Sequence, residues 1–231
     1  MIPIQWKQND KKTMHVNEAE NGVVYLTWPA IEKIEGIRHA FSTRIGGVSK
    51  EHLSSMNLSF SRGDDPANVR ENYRRFCEAA GFEVENIVTS DQAHTTKVRY
   101  VTKADCGSGV TRDRDFHDID GMITDEPGVV LATFYADCVP LYFVDPVHRA
   151  IGLSHSGWRG TVHKMGQVTL DAMHERFGTE AKDVIAAVGP SICQDCYEVS
   201  GDVIEEFRAA FPETLHEKLF YRKPDGKYQL N

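Results

Sequence analysis

Residues 136–160, ADCVPLYFVDPVHRAIGLSHSGWRG, decide how the chain folds and where its chemistry sits. Ahead of them, residues 129–135 are apolar except for Thr133, the pattern of a buried strand ending at Ala136-Asp137-Cys138. Residues 139–144 form a second apolar run, broken by the turn dipeptide Asp145-Pro146. A third run, 150–154, delivers His155 and is followed by Gly157-Trp158-Arg159-Gly160. Strands that stop at a cysteine and a histidine, beside an arginine between glycines, read as the rim of an active site.

The bulk of the sequence narrows what that site serves. A chain of 231 residues suffices for one sizeable core, and 41% hydrophobic with 26% charged residues is ordinary globular composition. The net charge of −8 argues against a dedicated nucleic-acid or anionic-membrane binder. No run reaches the ~18 apolar residues of a membrane span, and the N-terminal stretch lacks a secretory signal pattern. Five cysteines are too few and too odd in number for a disulfide framework, which points to a reducing cytoplasm. Neither a repeat nor a linker marks a boundary, so the expected organisation is a polar segment over 1–22 and a single domain over 23–231.

Outward from the rim, further elements follow. Residues 23–28 read as a strand stopped by Pro29, and 37–42 as a short strand. Arg44 then stands before Gly46-Gly47, a place for a hairpin arginine or for an anion contact. The spacing of Val69, Tyr73, Phe76, Cys77 and Ala80 predicts an amphipathic helix capped by Asp64 or Asp65, begun at Pro66 and ended by Gly81. Residues 87–89 predict a strand that, if it continues, carries Gln92 and His94 on one side. Residues 104–118 read as a mobile surface loop. Beyond the rim, one helix over 161–177, a strand over 183–188, a helix over 203–211 and a strand beginning at 227 are expected.

Three residues suit a metal. His94, Cys138 and His155 each fall at or near a predicted strand end, and a thiolate with two imidazoles favours zinc over oxygen-seeking ions, with copper second. The residues alone leave another reading open, with Cys138 as a nucleophile and His155 as its base. Gly157-Trp158-Arg159-Gly160-Thr161 before a helix suggests a phosphate or carboxylate site, against the plainer reading of a packed Trp158 and a paired Arg159. Cys193-Gln194-Asp195-Cys196 is the only Cys-x-x-Cys, and with no second pair to complete four ligands it reads as a solvent-side coincidence.

The motifs HAFSTRIGGVS (39–49), MNLSF (56–60), GDDPANVRENYRRF (63–76), QAH (92–94), DIDGMITDEPGVVLATFYADCVPLYFVDP (118–146), LSHSGWRGT (153–161) and GPSICQDCYEVSGDV (189–203) together resemble the YfiH-like family, catalogued as polyphenol oxidase or laccase-domain proteins and described as purine nucleoside phosphorylases. The resemblance implies an α+β domain of mixed β-sheets layered against helices in an α/β/β/α arrangement. It implies zinc on His94, Cys138 and His155, and phosphorolysis of adenosine, inosine, guanosine and methylthioadenosine, with adenosine deamination also attributed to the family. It departs in having Thr95 where a glycine often stands. It also implies a further helix, strand and Arg-containing motif beyond Asn231. On this reading Arg44, Arg159 and Gln92 bind phosphate or substrate, and Asp137, Cys138 and Arg44 take part in catalysis. The expected partners are purine nucleosides and phosphate, with no nucleic acid or membrane, in a monomer or homodimer. A Cys–His hydrolase or amidase, a copper oxidase and a non-catalytic binding module are the competing classes; the oxidase is disfavoured by scattered histidines with no His-x-His pair.

Overall fold

The computed structural model describes residues 13–231, so most of the polar segment expected at the N-terminus lies outside the described residues. The chain divides into two compact units, Met1–Val84 and Glu85–Asn231.

In the first unit, β1 (His15–Glu18), β2 (Val24–Thr27) and β3 (Phe41–Ser42) form an antiparallel sheet with β2 in the middle. The periodicity did not predict β1, whose residues alternate too little to announce a strand, and β3 covers only the end of the expected 37–42. A short helix, α1 (Pro29–Glu32), follows β2. Helix α2 (Pro66–Ala80) is as the capping residues dictate: the Asp65 side chain accepts from Ala67 N–H, and Gly81 ends the helix at φ 75°. Val69, Tyr73 and Cys77 are buried on one face. Asn72, on the same face and fully buried, ties the 46–57 loop to the helix. Its amide donates to Ser49 Oγ and to the carbonyls of Ser55 and Asn57, while its oxygen accepts from Val48 N–H. Gly46 is required in that loop, since its φ is +95° and a Cβ would stand 2.4 Å from Val23 Cα.

The second unit is built on a five-stranded sheet of order β10-β8-β9-β6-β5. Its strands are β5 (Val98–Tyr100), β6 (Gly121–Thr124), β8 (Val139–Asp145), β9 (Ala150–Ser156) and β10 (Ile185–Val188), all neighbours antiparallel except β5 with β6. Two further strands, β4 (Ile87–Thr89) and β7 (Val130–Ala132), pair in parallel; β7 is shorter than the apolar run 129–135. Asp145 closes the β8–β9 turn by accepting from Val147 and His148 N–H.

Residues 161–177 are not one helix. Helix α3 (Trp158–Val162) ends, Lys164 turns left-handed at φ 58°, and α4 (Met165–Phe177) begins anew. The apolar spacing runs across the break and conceals it. Helix α4 lies on β9 and β6, with Ser154 and Thr169 hydroxyls bonded at 2.7 Å between buried faces. Residues 104–118 are also more built than a surface loop, since Phe116 is buried with Val88, Val101, Met122 and Val129.

After β10 come β11 (Glu198–Val199), α5 (Gly201–Ala210), α6 (Glu213–Leu219), β12 (Phe220–Arg222) and β13 (Tyr228–Leu230). The last strands form a small antiparallel sheet of order β11-β13-β12. Ile204, Phe207, Phe220 and Leu230 bury a cluster there with Val162 of α3, and Trp158 lies against it. Burial of a side chain such as Phe207 contributes roughly 1.5–3 kcal/mol. Pro212 separates α5 from α6. Helix α3, which follows His155 closely in the chain, is thereby anchored by the C-terminal cluster.

Candidate metal centre

The β8–β9 ladder brings two of the three candidate ligands together. Its register pairs Pro140 with His155 and Val139 with Ser156. One step further along, Cys138 comes level with Gly157, where a glycine Cβ, if built, would stand 3.0 Å from Cys138 Sγ and 2.8 Å from His94 Nδ1. A side chain at 157 would fill the space between the ligands, so glycine keeps it open. His94 reaches the same place from the loop after β4. That loop does not continue as a strand: His94 adopts φ 58°.

The ligand atoms of His94, Cys138 and His155 all lie within 4.8 Å of one another. His94 is exposed, Cys138 intermediate and His155 buried, so the cluster opens to solvent on the His94 side. The two imidazoles meet edge to face at 4.9 Å between centroids, and the Tyr135 ring lies 5.7 Å from His155.

One carboxylate organises the cluster. Asp120, fully buried just before β6, accepts from His155 Nδ1 at 2.8 Å and from the backbone N–H groups of Ala93, His94 and Thr95. His155 N–H also donates to the Asp120 carbonyl at 2.7 Å. Burial works against the Asp120 charge, but the bonds from His155, Thr95 and Ala93 prevail and hold its pKa at about 2. His155 is likewise opposed by burial, yet its bonds to Asp120 and Cys138 raise it to about 9 in the absence of a metal. With Nδ1 committed to Asp120, Nε2 is the nitrogen turned toward the thiol. His94 is lowered by burial and by the charge of His155. Asp120 is not marked out in the sequence. It sits among Asp113, Asp115 and Asp118, and nothing in their spacing marks which carboxylate is buried.

The other expected residues are placed as follows. Gln92 spends its amide on the backbone of Phe134, donating to the carbonyl and accepting the N–H, each at 2.7 Å. Asp137 is exposed beside Cys138, and its carbonyl accepts from Ile192 N–H at 2.9 Å. Arg159 is exposed, with its guanidinium carbon 4.3 Å from the Trp158 ring centre. Helix α3 has five residues, too few for a strong dipole, and Thr161 donates its N–H and its hydroxyl to the Gly157 carbonyl. Arg44 belongs to the first unit, where it donates to the carbonyls of Ser54 and His52. Outside the cluster, His117 is bonded to Asp91 and His148 to Asp145.

Fold and site together define an α+β protein with a solvent-reached His–Cys–His cluster steadied by a buried aspartate. The chain belongs to the family described as multi-copper polyphenol oxidoreductase laccase, whose model matches residues 38–231. It is 36% identical over 173 residues to purine nucleoside phosphorylase YlmD of Bacillus subtilis (73% of this chain, 61% of that protein). Identity is 40% over 174 residues to a purine nucleoside phosphorylase of Deinococcus radiodurans (75% of this chain, 64% of that protein). The chain thus spans less than two thirds of the length of these relatives. Among solved structures, YlmD from Geobacillus stearothermophilus superposes with a TM-score of 0.80 at 34% identity, over 90% of this chain and 76% of that one. The YfiH-like fold expected from the motifs is the fold observed.

Proposed function

We propose that the chain carries the catalytic site of a zinc-dependent purine nucleoside phosphorylase, cleaving adenosine, inosine, guanosine or methylthioadenosine with phosphate. The observation that carries this reading is the convergence of His94, Cys138 and His155 within 4.8 Å, read beside relatives named as purine nucleoside phosphorylases. The donor set fits zinc: one soft sulfur and two imidazoles, one of them oriented by a buried carboxylate, with no Cβ at Gly157 to fill the space. Zinc held there supplies Lewis-acid chemistry, and in adenosine deamination an activated water.

The remaining steps belong to the protein. Arg159, exposed and close enough to His94 for its charge to depress that ring's pKa, draws phosphate by charge and paired hydrogen bonds. Asp137, exposed next to Cys138, delivers a proton to the departing purine. Gln92 acts on substrate indirectly, by fixing the segment that carries His94 against Phe134. Arg44, in the first unit, is proposed as an anion-binding residue on the strength of the sequence motif alone. Phosphorolysis passes through an oxocarbenium-like state, so holding phosphate in line beneath the sugar is the main contribution asked of these groups.

A second reading has its own observation. Cys138, His155 and Asp120 are bonded in series, the order of a nucleophile, its base and the group that orients the base. That triad has no use for His94, which is why the metal reading is preferred. Copper remains the alternative metal, and the thiolate and imidazoles suit it; among the described residues one such cluster is found, whereas multi-copper oxidation needs several. The test is incubation of the protein with each nucleoside, with and without phosphate, before and after chelation. Phosphate-dependent release of base and ribose-1-phosphate that chelation abolishes supports the proposal. Phosphate-independent turnover that survives chelation favours the cysteine hydrolase.

A further inference from the structure

Cys193 and Cys196 take no part in the chemistry above. We propose that they form a reversible dithiol–disulfide pair whose closure strains the backbone tie to Asp137 and weakens zinc binding at the neighbouring cluster.

Both cysteines are exposed, so an oxidant reaches them. They bracket a single 3₁₀ turn, Gln194–Cys196, of which Cys193 is the N-cap, and Cys196 N–H donates to the Cys193 carbonyl at 2.9 Å. A hydrogen-bonded turn places its end Cα atoms less than about 7 Å apart. A disulfide needs Cα separations of roughly 4.4–6.8 Å with facing Cβ atoms. The turn brings the two Cα atoms into or near that range, and closing the bond must also turn Cys193, whose backbone is extended at ψ 155°, toward Cys196. An exposed disulfide spanning two residues belongs to the labile, regulatory kind, not to the buried structural kind.

The turn is fastened on both flanks. Ile192 N–H donates to the Asp137 carbonyl at 2.9 Å, one residue from the ligand Cys138. On the far side Gln229 Nε2 holds the Asp195 carbonyl at 2.9 Å, and Leu230 N–H donates to the Tyr197 carbonyl at 3.0 Å. The Tyr197 side chain is half-buried, and burial together with the charges of Cys138 and Asp137 raises its pKa, so it lies close to the cluster. Contraction of a turn anchored in this way passes to residue 192, which is bonded to Asp137 beside the ligand Cys138, and to residue 197.

The chemistry balances with a small-molecule disulfide as oxidant. One cysteine thiolate attacks the external disulfide and expels a thiolate, giving a mixed disulfide. The second cysteine then attacks the protein sulfur, the intramolecular bond forms, and the second thiolate leaves. Two protein thiols are oxidised, one external disulfide is reduced to two thiols, and the two protons pass to the released thiolates.

The weakening of zinc binding rests on the metal site proposed above, whereas formation of the bond does not, and the experiment separates them. The protein is equilibrated in glutathione buffers from fully reduced to strongly oxidising, quenched with maleimide and cleaved after Lys and Arg. Residues 183–208 then form one fragment holding both cysteines, apart from Cys138. The expected fragment from oxidising buffer lacks two hydrogens and reverts with dithiothreitol. Zinc affinity, measured by competition with a chromophoric chelator, falls a few-fold in the oxidised protein, and Cys193→Ser with Cys196→Ser removes both responses. Maleimide labelling or single glutathione adducts at every buffer ratio overturns the pair. An internal bond with unchanged zinc affinity overturns the coupling. If even the reduced protein takes up no zinc, the metal site and the coupling fall together, while the fragment mass still decides the pair.

Discussion

Asp120 and His155 are joined twice: the carboxylate accepts from the imidazole Nδ1 at 2.8 Å, and the Asp120 carbonyl accepts from His155 N–H at 2.7 Å. The same carboxylate gathers Ala93, His94 and Thr95, so one buried side chain positions both imidazoles of the cluster. Asparagine in its place keeps the size but removes the charge that holds the His155 proton on Nδ1. Asp120→Asn is expected to weaken zinc binding about 10–100-fold, the usual effect of losing such an outer partner. Chelator competition checks this, and wild-type affinity in the variant would remove Asp120 from the account.

Gly157→Ala tests the space between the ligands. Its Cβ would stand 2.8 Å from His94 Nδ1 and 3.0 Å from Cys138 Sγ, so these side chains must shift. The expected variant keeps its circular dichroism and melting temperature but binds zinc far more weakly. Metal content equal to wild type would show that the three side chains do not share a metal.

The metal-free protein has a pH dependence with a definite sign. His155 is raised from 6.5 to about 9, against the pull of burial, by its bonds to Asp120 and Cys138. Its imidazolium therefore contributes stability that is complete below pH 6.5 and is lost as the pH rises through about 9. Zinc needs the neutral ring, so its affinity moves the opposite way and increases over that range. Melting curves of chelated protein from about pH 6 to 10 should fall across the interval between the two pKa values, and Asp120→Asn should flatten them.

Much of this was legible in the sequence. The strands β8 and β9 follow from long apolar runs separated by Asp145-Pro146, and α2 from its spacing and caps, because in each the local signal and the packing agree. The break at Lys164 was not legible, since Val162 and Met165 are both buried on either side of it and keep the periodicity intact. Strand β1 was hidden because exposed, polar residues give no alternation. In the site, Cys138 and His155 announced themselves by ending apolar runs. Asp120 did not, because what sets it apart from neighbouring aspartates is burial supplied by the fold. Gln92 is legible as a polar residue two positions before His94, whereas the engagement of its amide with the Phe134 backbone comes from the fold.

Arg159 gives a kinetic prediction. Loss of a charge-assisted contact costs about 1.5–3 kcal/mol, so Arg159→Ala should raise the KM for phosphate about tenfold or more while zinc content stays unchanged. Arg159→Lys should restore part of the loss, since charge returns without the paired geometry. Unaltered phosphate kinetics in Arg159→Ala would place phosphate elsewhere.

The most direct measurement is metal stoichiometry, by mass spectrometry of the elements in protein purified without chelator, for the wild type and for His94→Ala, Cys138→Ala and His155→Ala. The expected result is one tightly held zinc per chain, lost or sharply reduced in each variant with phosphorolysis lost beside it. Wild-type protein that turns over nucleosides with no bound metal, or variants that keep the full zinc complement, would contradict it.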